Sequence, residues 1–172
     1  TGHGSTLLGP GRIRHAGTGE TVIGEQSGVR SERIAALAST FNHAGIATKI
    51  SENVMGLIWT KLIVNVGINA LTAVTGMRNG QLVDYPETES LMRAAIDEAC
   101  AVARSKGICF EVADPFEHTR NIAKKTAENR SSMLQDVMAK RKTEISVING
   151  AIVELGEKLG IAVPVNAVLT KL

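Results

Sequence analysis

Between Asn53 and Leu71 the chain reads N-V-M-G-L-I-W-T-K-L-I-V-N-V-G-I-N-A-L, almost wholly apolar except for Lys61, Asn65 and Asn69. These three residues fall at i, i+4 and i+8. Each four-residue step drifts by only about 40° around a helix, so their side chains form one narrow stripe. A helix apolar on its other faces is buried, which predicts a central helix in a mainly helical core. Buried polar groups must find partners, yet the stripe offers one ammonium and two carboxamides without an Asp or Glu. An anionic, oxygen-rich ligand would supply what is missing. The alternative is that a carboxylate from another helix pairs with Lys61 while the asparagines bond nearby backbone. Three aligned polar residues in one apolar helix favour a binding site.

The 172 residues suffice for one domain with a core, or one domain and part of another. With 44% hydrophobic and 21% charged residues the chain is globular rather than disordered. Aromatics are only 3%, so Leu, Ile, Val, Ala and Met must build the core. A net charge of +2 argues against nucleic acid or an acidic membrane surface as partner. Lys140, Arg141 and Lys142 read as a solvated helical face. Cys100 and Cys109 lack metal spacing and read as buried free thiols. His3, His15, His43 and His118 read as surface residues, and no metal site is expected. Lys61, Asn65 and Asn69 interrupt the most apolar segment, so no membrane span is expected, and the N-terminus has no signal-type apolar region. A cytoplasmic protein is the expectation.

Residues 6–8, 12–15 and 21–23 are short β-type runs separated by Gly9-Pro10-Gly11 and Gly17-Thr18-Gly19, predicting an antiparallel hairpin or meander. Two or three such strands need a larger sheet to join. The early glycines do not make G-x-G-x-x-G at a strand-to-helix turn. Ser31 predicts a cap for a helix to about His43, with Ile34, Leu37, Ala38 and Phe41 on one face. A short strand follows at 47–50, and Ser51 opens the long apolar helix to about Val74. Further helices are expected from Pro86 to near Gly107 and from Asp114-Pro115 towards Asn129. Others follow from Ser131-Ser132, from Thr143 to Gly160, and after Pro164.

A second polar cluster is Asn129-Arg130-Ser131-Ser132. Hydroxyls and free N–H groups at a helix start can bind a carboxylate or phosphate, but an ordinary cap explains them equally well. Glu144 by itself is a first-turn acid offsetting a helix dipole.

Five runs together resemble the ketopantoate reductase (2-dehydropantoate 2-reductase) family. They are W-T-K-L-x-x-N-x-x-x-N (59–69), R-N-G-Q-L (78–82), A-E-N-R-S-S-M-L-Q-D (127–136), R-K-T-E-I-x-x-I-N-G (141–150) and G-I-A-V-P (160–164). The opening L-L-G-P-G-R-I-R-H-A-G-T-G resembles the end of that family's nucleotide domain. The resemblance implies that residues 1–50 close a Rossmann-type nucleotide-binding domain. Residues 51–172 would then be a helical bundle of the 6-phosphogluconate-dehydrogenase C-terminal type.

The resemblance also implies NADPH-dependent reduction of ketopantoate to pantoate in pantothenate biosynthesis. Lys61 would be the catalytic general acid, and Asn65, Asn69 and Asn79 would bind substrate. Asn129, Arg130, Ser131 and Ser132 would hold the substrate, with Ser132 on its carboxylate. Glu144 would serve both substrate and cofactor ribose. The expected partners are the small-molecule substrate, the N-terminal Rossmann domain that binds most of the NADPH, and a second copy in a homodimer. The family's G-x-G-x-x-G is not in this sequence, so the chain alone is expected to be inactive. Other readings are a reductase of another 2-keto acid, or a non-catalytic helical dimerisation module.

Overall fold

Short extended runs punctuated by glycine build the first of two units. Contacts divide the chain into Thr1–Met55 and Gly56–Leu172, and the computed structural model describes residues 2–172. Strands β1 (Gly4–Gly9) and β2 (Arg12–Gly17) pair antiparallel, with Gly9 opposite Arg12. Pro10 presets the first position of the turn and Gly11 supplies the φ of +69° that a side chain would strain. The hairpin is as expected, but it does not continue into a meander. Strand β3 (Thr21–Ile23) instead pairs in parallel with β4 (Thr48–Ile50). Parallel strands need a long crossover, which α1 (Glu32–His43) provides.

Ser31 caps α1 as its sequence suggests: its hydroxyl accepts the Ile34 N–H at 3.2 Å and donates to Glu25 at 2.6 Å. Gly45, with φ +80°, follows the helix end. Only Ile34 and Ala38 of the anticipated apolar face are buried; Leu37 and Phe41 are exposed.

The second unit is helical. Helix α2 (Val54–Thr75) starts later than Ser51, whose hydroxyl accepts the Asn53 N–H at 3.0 Å and holds a turn there. It is followed by α3 (Pro86–Ser105), α4 (Pro115–Lys125), α5 (Ser132–Met138), α6 (Asn149–Leu159) and α7 (Pro164–Lys171). The fold class is mainly α, with seven α-helices among the described residues. Proline opens α3, α4 and α7 where its missing N–H does no harm. Asp114 caps α4 by accepting the Glu117 N–H at 2.9 Å. That helix stops at Lys125 rather than near Asn129, leaving 126–130 as a loop.

Thr143 does not cap the next helix. A 3-10 turn at Ile145–Val147 intervenes, and α6 begins behind Ile148 with no side-chain cap. Glu144 therefore precedes a 3-10 turn and is not a first-turn acid of α6. The Lys140–Lys142 charges sit in the connection after α5 rather than on a helix, and Arg141 pairs there with Asp136 at 2.8 Å.

Ile63, Val66, Leu82, Met92, Ile96, Val102 and Ile152 form the centre of this unit, each at most 1% exposed. The core is aliphatic, as the shortage of aromatics requires. Gly67 lets α2 approach α3: a Cβ there would lie 2.7 Å from Ile96 Cδ1 and 3.1 Å from Thr119 Cγ2. With 22 residues and an 18-residue stretch of mean hydropathy 1.5, α2 is long and apolar enough to cross a membrane. Lys61, Asn65 and Asn69 thus do not disqualify it by composition, contrary to expectation. What marks it as a core helix is that 56% of that apolar window is buried inside the fold. Of the two thiols only Cys100 is buried; Cys109, in the connection after α3, is exposed.

Candidate functional site

Helix α2 turns the polar stripe into a gradient of burial. Lys61 is exposed, Asn65 half-buried and Asn69 only 6% exposed. The stripe therefore runs from solvent into the unit over two helical turns. No ion pair among the described residues involves Lys61. The carboxylate that the alternative sequence reading called for is thus absent among them, and the ammonium is open to an anion.

At the buried end of the stripe α2 meets the start of α5. Asn69 Nδ2 donates to Ser132 Oγ at 3.5 Å, and the Thr72 and Ser131 hydroxyls share a hydrogen bond of 2.7 Å. The two serines divide the possibilities that the sequence left open. Ser131 is a buried cap whose hydroxyl accepts the Leu134 N–H at 3.1 Å. Ser132, one residue later, is exposed and faces the stripe through Asn69.

Asn79 lies elsewhere in this network. It is buried, its Nδ2 donates to Thr126 Oγ1 at 2.9 Å, and its backbone N–H donates to the Asn129 carbonyl at 3.0 Å. Asn79 thus ties its own turn to the 126–130 loop. Its Oδ1 has no hydrogen-bond partner among the described residues. Asn129 and Arg130 are exposed and line a polar hollow of about 510 Å³ with Arg78, Glu128 and Gln135. Gln135 Nε2 holds the Arg130 carbonyl at 2.9 Å, so the loop is fixed to α5.

Glu144 is exposed, and no ion pair among the described residues includes it. Its backbone carbonyl accepts from Val147 and Ile148, and among the described residues no hydrogen bond joins its carboxylate to Lys61, Asn65, Asn69 or Ser132. The structure therefore brings Asn69, Thr72, Ser131 and Ser132 together directly. Lys61 and Asn65 join them along one helix face, while Asn79 and Glu144 stand apart in hydrogen bonding.

Sequence reasoning missed three features. Thr72 is fully buried on the last turn of the stripe, and its position three residues after Asn69 was the available signal. Asn149 and Asn166, both fully buried, bond to each other, and Asn166 also bonds to the Glu98 carboxylate of α3. Each is a lone amide in an apolar run, which is the same signal that singled out the α2 stripe. The third is an apolar groove of about 380 Å³ lined by Ala70, Val74, Met133, Val137, Ile145 and Leu169. It follows from helix placement alone.

A helical unit whose central helix carries one ammonium and two amides towards a serine at another helix start is the architecture to be matched. Residues 53–172 match the family described as ketopantoate reductase PanE/ApbA, C terminal. The chain belongs to this family. Over all 172 residues it is 39% identical to the 2-dehydropantoate 2-reductase of Halobacterium salinarum, covering 100% of this chain and 56% of that protein. The chain thus spans little more than half the length of such relatives.

Its fold superimposes on the PanE/ApbA family ketopantoate reductase of Ralstonia eutropha JMP134 with a TM-score of 0.88 at 38% identity. That match covers 98% of this chain and 55% of the other. It also matches D-mandelate dehydrogenase in complex with NADH, with a TM-score of 0.90 at 25% identity over 99% of this chain and 59% of that one. The resemblance carried by the motifs from Trp59 to Pro164 is therefore membership of the family.

Proposed function

We propose that the chain supplies the substrate domain of an NADPH-dependent 2-dehydropantoate 2-reductase, reducing ketopantoate to pantoate. The observation that carries this reading is the Lys61 ammonium, without an ion pair among the described residues, at the exposed end of a stripe that leads through Asn65 and Asn69 to Ser132. A 2-keto acid matches that line: a carboxylate for hydroxyl and amide donors, and next to it a ketone for the ammonium.

When bound, NADPH would supply hydride for the ketone carbon, with Glu144 as the residue of this chain that would meet its ribose. The donor set fits such a reaction, since Lys61 is cationic and exposed and Glu144 presents an exposed carboxylate able to accept from ribose or substrate hydroxyls. As hydride arrives, negative charge gathers on the ketone oxygen. Lys61 stabilises that charge and donates the proton that converts it to a hydroxyl. Asn65 and Asn69 orient the substrate, and Ser132 takes its carboxylate. Asn79, Asn129, Arg130 and Ser131 hold the loop that precedes Ser132. The parallel β3-α1-β4 unit supports assigning residues 1–50 to the end of a dinucleotide-binding domain, with 51–172 as the substrate domain.

The likeness to D-mandelate dehydrogenase favours one second reading, in which the substrate is another 2-keto acid. The test is an absorbance assay on the polypeptide that joins this chain to its dinucleotide-binding domain. Oxidation of NADPH on adding ketopantoate is the expected result. Turnover of an aryl 2-keto acid but not of ketopantoate would move the assignment to the second reading.

A further inference from the structure

We infer that Thr72 is a positioning residue: its link to Ser131 fixes the start of α5 so that Ser132 stands opposite the Asn65–Asn69 stripe. The inference rests on the substrate-domain reading above and adds a residue to it. Asn69 and Thr72 are three apart on α2 and so lie on neighbouring parts of one face. Their partners, Ser132 and Ser131, are consecutive residues on α5. A single contact would leave α5 free to pivot about it, whereas two side by side set both its distance and its rotation.

Of the two contacts, the one at Thr72 is the stronger. It is 2.7 Å long against 3.5 Å for Asn69 to Ser132, and Thr72 is fully buried while Ser131 is 6% exposed. Thr72 Oγ1 also lies 2.9 Å from the Ile68 carbonyl and 3.0 Å from the Asn69 carbonyl, so its hydroxyl is held against its own helix. Ser131 in turn spends a lone pair on the Leu134 N–H that begins α5. A chain of hydroxyls therefore runs from the turn of α2 that carries Asn69 to the first turn of α5. Were Thr72 needed only to back-bond its helix, the Ser131 contact would be unnecessary, and an alanine would fit a helix better.

The test compares Thr72→Val, which keeps the shape and loses the hydroxyl, with Thr72→Ser, which restores it. A third variant, Ile152→Val, loosens the core away from α5. In the polypeptide that carries the dinucleotide-binding domain, Thr72→Val should raise KM for the keto acid about tenfold, as expected for one displaced buried hydrogen bond. Its kcat should stay within about twofold, its NADPH affinity should be unchanged, and Thr72→Ser should return KM to near the parent value. An unchanged KM in Thr72→Val, or an equal rise in Ile152→Val, overturns the inference.

Hydrogen exchange at the Leu134 amide separates this idea from the functional reading. Thr72→Val should speed that exchange and Thr72→Ser should restore it whatever the substrate proves to be. Absence of turnover in the parent would remove the functional reading alone, and unchanged Leu134 exchange would remove the Thr72 link.

Discussion

Asn149 donates a side-chain N–H to Asn166 Oδ1 at 3.0 Å, and both residues are completely buried. Asn166 passes the interaction on, donating to the Ala95 carbonyl at 3.0 Å and to Glu98 at 2.7 Å. The Glu98 carboxylate also accepts the Val165 and Asn166 backbone N–H groups, capping α7 from α3. Asn149 meanwhile reaches the Val66 carbonyl of α2 at 3.4 Å. One buried polar chain thus joins α2, α3, α6 and α7, where apolar contacts alone would leave their rotation loosely set.

Asn166→Ala should therefore be costly although the residue is far from any chemistry. It leaves buried Asn149 with only the long bond to the Val66 carbonyl and takes the side-chain donor from half-buried Glu98. The expected loss is about 2–4 kcal/mol, the range for leaving buried polar groups unsatisfied. Urea unfolding checks it. A loss under about 1 kcal/mol would mean that water takes over the bonds.

Two glycines should respond differently to a methyl group. At Gly67 the added carbon meets Ile96 Cδ1 at 2.7 Å, the far end of a flexible side chain. At Gly80 it meets Ala127 Cβ at 2.5 Å and Ala127 Cα at 2.8 Å, where only backbone movement can make room. Helix propensity returns about 1 kcal/mol at Gly67 and little at Gly80. Gly80→Ala should thus be the more destabilising by thermal melting, and it should part the Asn79 turn from the 126–130 loop.

Caps and periodicity were legible because they are local. Ser31, Asp114 and Ser131 each accept an N–H three residues ahead, and the α2 stripe needs only the helical repeat. What depends on distant pairing was not. Nothing near Thr21 tells that β3 will choose β4 over β2, and the Glu98–Asn166–Asn149 chain gathers residues from three helices. The division of labour between Ser131 and Ser132 depends on where α5 begins to within one residue. That is finer than capping signals resolve. Glu144 was misplaced for a similar reason: Thr143 looks like a cap, but a 3-10 turn comes before α6.

The two thiols should behave as opposites. Burial pushes the Cys100 thiol up from 9.0 to about 11. Cys109 is exposed and should react with a thiol reagent in the folded state, whereas Cys100 should react only after unfolding. The sign of the pH effect follows. Below pH 9.0 both folded and unfolded Cys100 hold the proton; above it only the folded form does, so the unfolded state gains. Stability should fall by about 1.4 kcal/mol per pH unit from 9.0 towards about 11 on account of this group. Urea titrations of Cys100→Ala alongside the parent isolate it, since the variant should lack that slope.

The last prediction separates chemistry from binding along the stripe, in the polypeptide that joins this chain to its dinucleotide-binding domain. Lys61→Ala should lower kcat by about 10²–10⁴-fold, the range for losing a positioned general acid. Its melting temperature should hardly move, because Lys61 is exposed and its substitution disturbs no ion pair among the described residues. Lys61→Arg makes the sharper variant: a guanidinium keeps the charge but does not release a proton near neutrality, so KM should recover while kcat stays low. Ser132→Ala should mainly raise KM, since a carboxylate contact acts on ground and transition states alike. Glu144→Ala should fall between, since its proposed role is to touch substrate and cofactor together. If Lys61→Ala changed KM alone and left kcat untouched, the ammonium would be a binding group. The proton would then have to come from water or from Glu144.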